Sequence, residues 1–171
     1  MSSENPIESQ IRKEFIRRIH QEGIPRIKKC LSLLSEEQTW YQPNENLNSI
    51  GNLILHLEGN VNQWVISTFT DKKDTRVRST EFDPTRKEQK ADLFERLNNL
   101  IVNTLEAINN ISDDDLIKVY NVQCYKETGV SILIHVIEHF SYHVGQITFY
   151  TKFLLNKDLM YYGGQSLDKT N

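Results

Sequence analysis

Apolar residues recur at intervals of three and four along four long stretches of the chain, as they do in helices that bury one face. These stretches run from about Ile7 to Leu34, from Ser49 to Phe69, from Thr85 to Asn109 and from Thr128 to Leu155. Strand patterns are weak, so the expected architecture is helix packed on helix. The pattern predicts an all-α fold: an up-and-down four-helix bundle in a single domain over residues 1–171.

Glycine, proline and polar residues predict where two of these helices break or begin. Gly23 and Pro25 interrupt the first helix, where we expect a kink or a break. Thr85 and Glu88 have the spacing of a capping box, which places the start of the third helix. The expected buried stripe of that third helix consists of Leu93, Leu97, Leu100, Ile101, Leu105 and Ile108.

Two long connections separate the last three helices. The stretch from Asp71 to Pro84 is rich in charge, and the stretch from Ile111 to Gly129 contains an alternation, Ile117 to Val122, that predicts a short strand or hairpin. Long structured loops on a compact bundle are often functional. The tail from Gly163 to Asn171 has the composition of a disordered segment.

The composition limits which binding partners and which cellular compartment we expect for this protein. The net charge of -3 gives no reason to expect nucleic acid or an anionic membrane as a partner. No apolar stretch is long enough to span a membrane, and the polar start MSSENPIESQ does not resemble a signal peptide. Cys30 and Cys124 are far apart, so a reducing compartment is expected. We therefore expect a cytoplasmic protein.

Three of the five histidines, His135, His139 and His143, lie four residues apart in the fourth helix. Successive members are rotated by roughly 40° and displaced by ~6 Å, so neighbouring pairs can bind one ion. The outer two are ~12 Å apart, too far for metal–nitrogen bonds of about 2.1 Å. Spacing alone therefore predicts that one pair of neighbours binds the ion. It does not decide between His135 with His139 and His139 with His143.

The side of the helix that carries these histidines is apolar. Three buried imidazoles are costly unless each has a partner, which can be a metal or, alternatively, tyrosine hydroxyls and backbone carbonyls. The opposite side carries Ile134, Ile137 and Val144, so either a second subunit or the long loops should cover it. The expected core-facing stripe consists of Ile132, Val136, Tyr142, Gln146, Ile147, Tyr150, Phe153 and Leu154.

A third ligand has two histidine candidates. His20 follows two arginines and is expected in solvent, whereas His56 lies at the edge of the apolar face of the second helix among small and polar residues. Glu58 points almost opposite His56, which argues against it as a ligand of the same ion and favours a solvated carboxylate.

Three segments resemble the DinB-like (YfiT-like) superfamily. The strongest is EHFSYHVGQI, from Glu138 to Ile147 in the last helix. The second helix, with HLEGNVNQW, and the loop DTRVRSTEF, from Asp74 to Phe82, are similar to one branch of it. An HxxxH motif followed by GQ, together with a lone histidine on the second helix, is a fairly specific combination.

The resemblance implies a four-helix bundle, frequently dimeric, with one metal bound by one histidine of the second helix and two of the fourth. Carried over, these ligands are His56, His139 and His143, and His135 packs below the site. Zinc and nickel both suit imidazole ligands. A homodimer that acts on a small molecule is the expected state.

Three neutral imidazoles leave the ion its charge and an open position, which lowers the pKa of a bound thiol or water. The superfamily contains thiol-dependent transferases and isomerases, so activation of a low-molecular-weight thiol as cosubstrate is one hypothesis. A metal-dependent hydrolase is the second, and a metal-binding stress or interaction protein without turnover is the third.

A general base is missing from the motifs, which keeps the hypothesis without turnover open. The residues expected to position water or substrate are Asn60, Gln63, Tyr142 and Gln146, and His135 is a further candidate for lining the site. Arg76, Arg78 and Glu81 on the charged loop either close over the site and bind an anion or, as such charges more often do, face solvent.

Overall fold

The computed structural model describes residues 6–169, and four helical rods make up most of them. The first, α1, joins an α-helix Pro6–Ile16, a π-helical segment Arg17–Gly23 and an α-helix Ile24–Leu33. The second, α2, joins Ile50–Val61, a π-helical segment Asn62–Ile66 and Ser67–Phe69. The third and fourth are regular α-helices, α3 at Lys90–Asn110 and α4 at Gly129–Leu155.

Short elements fill the connections. One-turn helices lie at Glu36–Thr39 and Asp113–Ile117, and a 3₁₀ turn lies at Arg78–Glu81. Strands β1 (Val119–Val122) and β2 (Tyr125–Thr128) form an antiparallel hairpin, as the alternation in that loop predicts.

The predicted all-α four-helix bundle is confirmed. Contacts at opposite ends give the helix directions: α1 runs antiparallel to α3, since Arg12 lies by Ile111 and Lys28 by Asn98. Helices α2 and α3 run parallel, since Glu58 binds Arg96 and Lys72 binds Asn103. Along the chain the order is up, down, down, up, so the predicted up-and-down alternation is wrong. Residues 70–89 carry the chain back along the bundle, and α3 therefore starts at the same end as α2.

Helix α1 is not broken at its glycine and proline. The N–H of Ile24 donates to the carbonyl of Ile19, five residues back, so the π-helical register change lets the rod continue past Pro25. Gly23 has a packing role: a Cβ there would lie 2.7 Å from the Phe140 ring of α4. The predicted kink or break is replaced by a widened turn.

The predicted start of α3 is wrong. Its first residue is Lys90, and Gln89 with Asp92 forms the capping box. Thr85 instead binds the Asp83 carboxylate in a turn, at 2.8 Å from its backbone N–H. Glu88 is unavailable as a cap because it pairs with two arginines, Arg86 and Arg96.

The buried stripes of α3 and α4 differ in detail from the expected ones. On α3, Leu105 is exposed and Thr104 and Ala107 are buried instead. On α4, the expected core residues Tyr142, Gln146 and Phe153 are exposed. The α4 core face is rotated toward Phe140, and its buried members are Gly129, Ile132, Leu133, Val136, Phe140, Val144, Ile147 and Thr151.

Beyond α4, residues 163–169 of the predicted disordered tail form exposed turns, and residues 170–171 lie outside the described part of the chain. Within residues 6–169 no helix combines the length and the apolar character that crossing a membrane requires.

Candidate metal centre

His56 is presented by α2, a helix with a well-defined start. Ser49 caps it: the Ser49 hydroxyl accepts from the backbone N–H of Asn52, and the Asn52 side chain accepts from that of Ser49. Apolar residues on both sides of His56 pack into the core, so the imidazole is only 4% exposed. A polar ring this deeply buried needs partners for both of its nitrogens.

The first partner of His56 comes from the charged loop. Its Nδ1 lies 2.8 Å from Oε2 of Glu81, whose other oxygen accepts from Nε of Arg76 at 2.6 Å. The side chains of Arg76 and Glu81 are 4% and 6% exposed. Gly59, one turn along α2, makes room for them, since a Cβ there would lie 2.1 Å from Oε1 of Glu81.

This network fixes which nitrogen of His56 carries hydrogen. Burial opposes the charge on Glu81, but hydrogen bonds from Arg76 and His56 outweigh it and lower the pKa of the carboxyl group. Glu81 is therefore ionised at neutral pH and accepts the Nδ1–H of His56. Arg76 Nη2 also lies 3.1 Å from Nδ1, but it donates to Glu81 at 2.9 Å. The lone pair of His56 is left on Nε2.

The structure brings His56, His139 and His143 together, and their donor atoms lie within 4.8 Å of one another. Nε2 of His56 is 3.1 Å from Nε2 of His139. Two imidazole lone pairs this close repel each other unless a proton or a cation lies between them. Nitrogens on one zinc ion, with bonds of about 2.1 Å, lie at a similar separation, about 3.4 Å.

His143 is oriented by its own helix. Its Nδ1 lies 2.7 Å from the amide oxygen of Gln146, so Nδ1–H donates and Nε2 keeps the lone pair. Burial lowers the pKa of His139 to about 3, and the neighbouring His143 and His56 add to the effect. Burial also lowers the pKa of His143, although the bond to Gln146 opposes this. Both rings are neutral at pH 7 and can bind a cation.

A cleft of about 420 Å³ opens beside these histidines, between α2, α4, the charged loop and the hairpin. His135 lies on the wall of this cleft, stacked on Trp64 with ring centroids 4.0 Å apart. It therefore lines the site, as one of the two expectations for it had it, and does not pack below it. Glu127 and Arg78 also line the cleft. Arg78 is exposed, and its guanidinium lies 4.9 Å from the Phe82 ring centroid.

The residues predicted to line the site have different positions. Asn60 is buried at the cleft, and Gln146 contacts His143. Gln63 holds the loop, since its amide oxygen accepts from Arg76 at 2.9 Å. Tyr142 is exposed, with its ring centroid 5.0 Å from that of His143.

Two predictions about solvated residues are wrong in part. His20 is half-buried between α1 and α3, with Nε2 2.5 Å from the Thr104 hydroxyl. Glu58 is half-buried too and pairs with Arg96 at 2.9 Å, although it points away from His56 as expected. Burial raises the pKa of Glu58, more than the attraction of Arg96 lowers it.

The charged residues of the loop were expected to face solvent more often than to close over the site. That expectation is wrong for Arg76 and Glu81. The signal that could have identified them is Gly59. A glycine within a helix costs about 1 kcal/mol relative to alanine, so its presence inside the second helix indicates a bulky neighbour.

Helical packing and a cluster of three imidazoles define a bundle protein with a candidate three-histidine metal site. The chain belongs to the family described as "Protein of unknown function (DUF1572)", which matches residues 9–162. The predicted DinB-like resemblance is confirmed.

Two solved structures share this fold. The DinB-like protein YjoA from Bacillus subtilis has a TM-score of 0.65 and 18% identity, over 90% of this chain and 96% of that chain. A conserved protein from Enterococcus faecalis has a TM-score of 0.65 and 16% identity, over 87% and 98%. No curated protein matches the sequence.

Proposed function

We propose that the protein is a metal-dependent enzyme that activates a low-molecular-weight thiol for transfer to an electrophilic small molecule. The observation that carries this proposal is the convergence of three imidazoles, His56, His139 and His143, on one point beside a cleft. Zinc or nickel at these nitrogens would lower the pKa of a bound thiol and hold it as a thiolate.

The chain's own residues would orient the reactants. Glu81 and Gln146 accept from Nδ1–H of His56 and His143 and leave the Nε2 lone pair of each ring free to bind the ion. The cleft is lined by an aromatic pair, Trp64 with His135, and by an exposed cation, Arg78. An electrophile with a planar or anionic group suits these walls.

Activation of water is the second candidate, which one observation favours. His135 and Glu127 both line the cleft, and either can take a proton from an attacking water. This arrangement supplies the base that the sequence motifs lack. A hydrolase would turn over without any thiol, which separates the two proposals.

The first test is the metal content of purified protein, measured for the wild type, His139→Ala and His135→Ala. We expect about one equivalent of zinc or nickel in the wild type and in His135→Ala, because His135 is outside the proposed ligand set. His139→Ala should lose the ion. Wild-type protein that neither contains nor takes up metal would show that the centre is not a metal site.

The second test is turnover of an aryl halide or epoxide by the metal-loaded protein, with and without a panel of thiols that includes glutathione and cysteine-derived sugar thiols. Product that forms only with a thiol supports the transferase. Product in buffer alone supports the hydrolase. Bound metal without turnover on either route favours a non-catalytic metal-binding protein.

A further inference from the structure

Two of the three clustered histidines have an outer hydrogen-bond partner and the third has none. His56 donates to Glu81 at 2.8 Å and His143 to Gln146 at 2.7 Å. Nδ1 of His139 is buried and has no hydrogen-bond partner among residues 6–169. Imidazoles that bind a metal nearly always donate their other N–H to an acceptor, so one acceptor remains to be assigned.

A buried acceptor without a partner lies on the facing helix. Within the described part of the chain, the buried side-chain polar atoms that lack a partner are His139 Nδ1, Asn60 Oδ1 and Trp64 Nε1. The indole N–H of Trp64 can only donate. Asn60 Oδ1 is therefore the atom of this set that can accept from His139.

The register of α2 against α4 puts Asn60 at the right level. His56 packs against His139 and His143, with ring centroids 4.9 and 5.0 Å away. Eight residues further along α2, Trp64 stacks on His135. The two helices thus run antiparallel, and Asn60, midway between His56 and Trp64, lies opposite the turn between His135 and His139. Asn60 and His139 also line the same cleft.

We propose that Asn60 is the positioning residue of His139. Its side-chain oxygen accepts the Nδ1–H of His139, directly or through one water, when Nε2 of His139 binds the ion. This assignment rests on the proposed metal centre. It gives every ligand an outer acceptor: Glu81 for His56, Gln146 for His143 and Asn60 for His139. The alternative is that the side-chain oxygen of Asn60 accepts from the indole N–H of Trp64, one turn along the same helix.

The test compares Asn60→Leu, which removes the acceptor, with Asn60→Asp, which keeps it. Asn62→Leu is the control, a change of the same type on the same helix away from the cleft. Zinc affinity is measured by competition with a chelator. The cobalt-loaded proteins are examined by proton NMR, where exchangeable imidazole N–H protons of ligands are shifted away from the other signals.

We expect three such N–H signals in the wild type. Asn60→Leu should weaken zinc binding by about 10- to 100-fold and lose one signal to exchange with solvent. Asn60→Asp should keep all three signals and bind zinc at least as tightly as the wild type. If Asn60→Leu does not fold, Asn60→Ala has the same expected result. Trp64→Phe should leave the three signals in place.

The assignment is overturned if Asn60→Leu has the same zinc affinity and the same imidazole N–H signals as Asn62→Leu. It is also overturned if Trp64→Phe loses one of these signals and Asn60→Leu does not. Asn60→Asp that binds zinc as weakly as Asn60→Leu would also overturn it. These outcomes leave the metal centre intact. A wild type that binds no zinc, cobalt or nickel overturns the metal centre and this assignment together.

Discussion

At the scale of single residues, Gly59 has the sharpest structural requirement. Its missing side chain leaves the space that Glu81 and Arg76 occupy, since a Cβ would lie 2.1 Å from Oε1 and 3.0 Å from Nε. Gly59→Ala should therefore push the buried pair away from His56. We expect a loss of about 1–3 kcal/mol in the free energy of unfolding, measured in urea, and weaker zinc binding.

Gly145 provides the matched control. It lies in α4 between the histidines and the C-terminal end, and a Cβ there would meet no atom within 4 Å. Gly145→Ala should leave zinc binding unchanged and stabilise the protein by up to about 1 kcal/mol, because alanine is the better helix former. Equal effects of the two substitutions would show that space for Glu81 is not what Gly59 supplies.

Residue spacing predicted part of the candidate site. The interval of four fixes how His139 and His143 converge, because helical geometry alone determines it. The choice of that pair and of His56 came from the family resemblance. Glu81 and Arg76 could not be found in this way, because a charged loop residue has the same local pattern whether it faces solvent or closes over a site.

At the scale of elements, His20 joins α1 to α3 through Thr104. Burial lowers the pKa of His20 from 6.5 to about 4. Between these values the unfolded chain binds a proton that the folded protein does not, so stability is lost as the pH falls from 6.5 toward 4. Above pH 6.5 His20 is neutral in both states, and it no longer lowers the free energy of unfolding.

His20→Gln removes this titration. Between neutral pH and pH 4, the free energy of unfolding of the wild type should fall by about 1–2 kcal/mol more than that of the variant. This figure allows for the partial exposure of the ring. The measurement is the urea-unfolding free energy of both proteins at several pH values. Groups other than His20 are the same in both proteins, so their contributions to the pH dependence cancel in the difference. Parallel curves across the acid range would contradict the prediction.

The sequence predicted the four helices because each buries a continuous apolar stripe. It could not predict the π-helical segments Arg17–Gly23 and Asn62–Ile66. Apolar spacing identifies a helix, but it does not report whether each N–H bonds to the carbonyl four or five residues back. The start of α3 was missed for a different reason, since two arginines compete for the predicted capping residue Glu88.

At the scale of the whole molecule, the predicted homodimer stays a prediction, and α4 offers a surface for it. Tyr142, Phe149 and Phe153 are 63%, 73% and 68% exposed and follow one another at spacings of seven and four along one face. Together they present about 400 Å² of aromatic surface, half of what one partner contributes to a standard interface.

Phe149→Glu should disrupt this dimer. A charge at the centre of a buried aromatic face costs far more than at an exposed position. Val102→Glu is the control, because Val102 is 65% exposed on a different helix, α3. We expect sedimentation to show a dimer for the wild type and Val102→Glu and a monomer for Phe149→Glu. A monomeric wild type at tens of micromolar would refute the dimer.

The direction of each helix could not be predicted from periodicity. The apolar residues of a helix have the same spacing whichever way the helix runs in the bundle. The path of residues 70–89 is what makes α2 and α3 run parallel. That path also brings Arg76 and Glu81 over His56. The arrangement of the bundle and the completion of the candidate site thus depend on the same loop.

The fit between Gly59, Arg76 and Glu81 has a consequence for how this sequence can change over generations. Gly59 lies on α2 and the other two residues lie on the charged loop, yet the carboxylate needs both the arginine and the missing side chain. A lineage that replaces Gly59 with a larger residue must also give up the glutamate contact, and one that loses Glu81 relaxes the demand for glycine. We therefore expect the three positions to vary as a set among relatives of this chain.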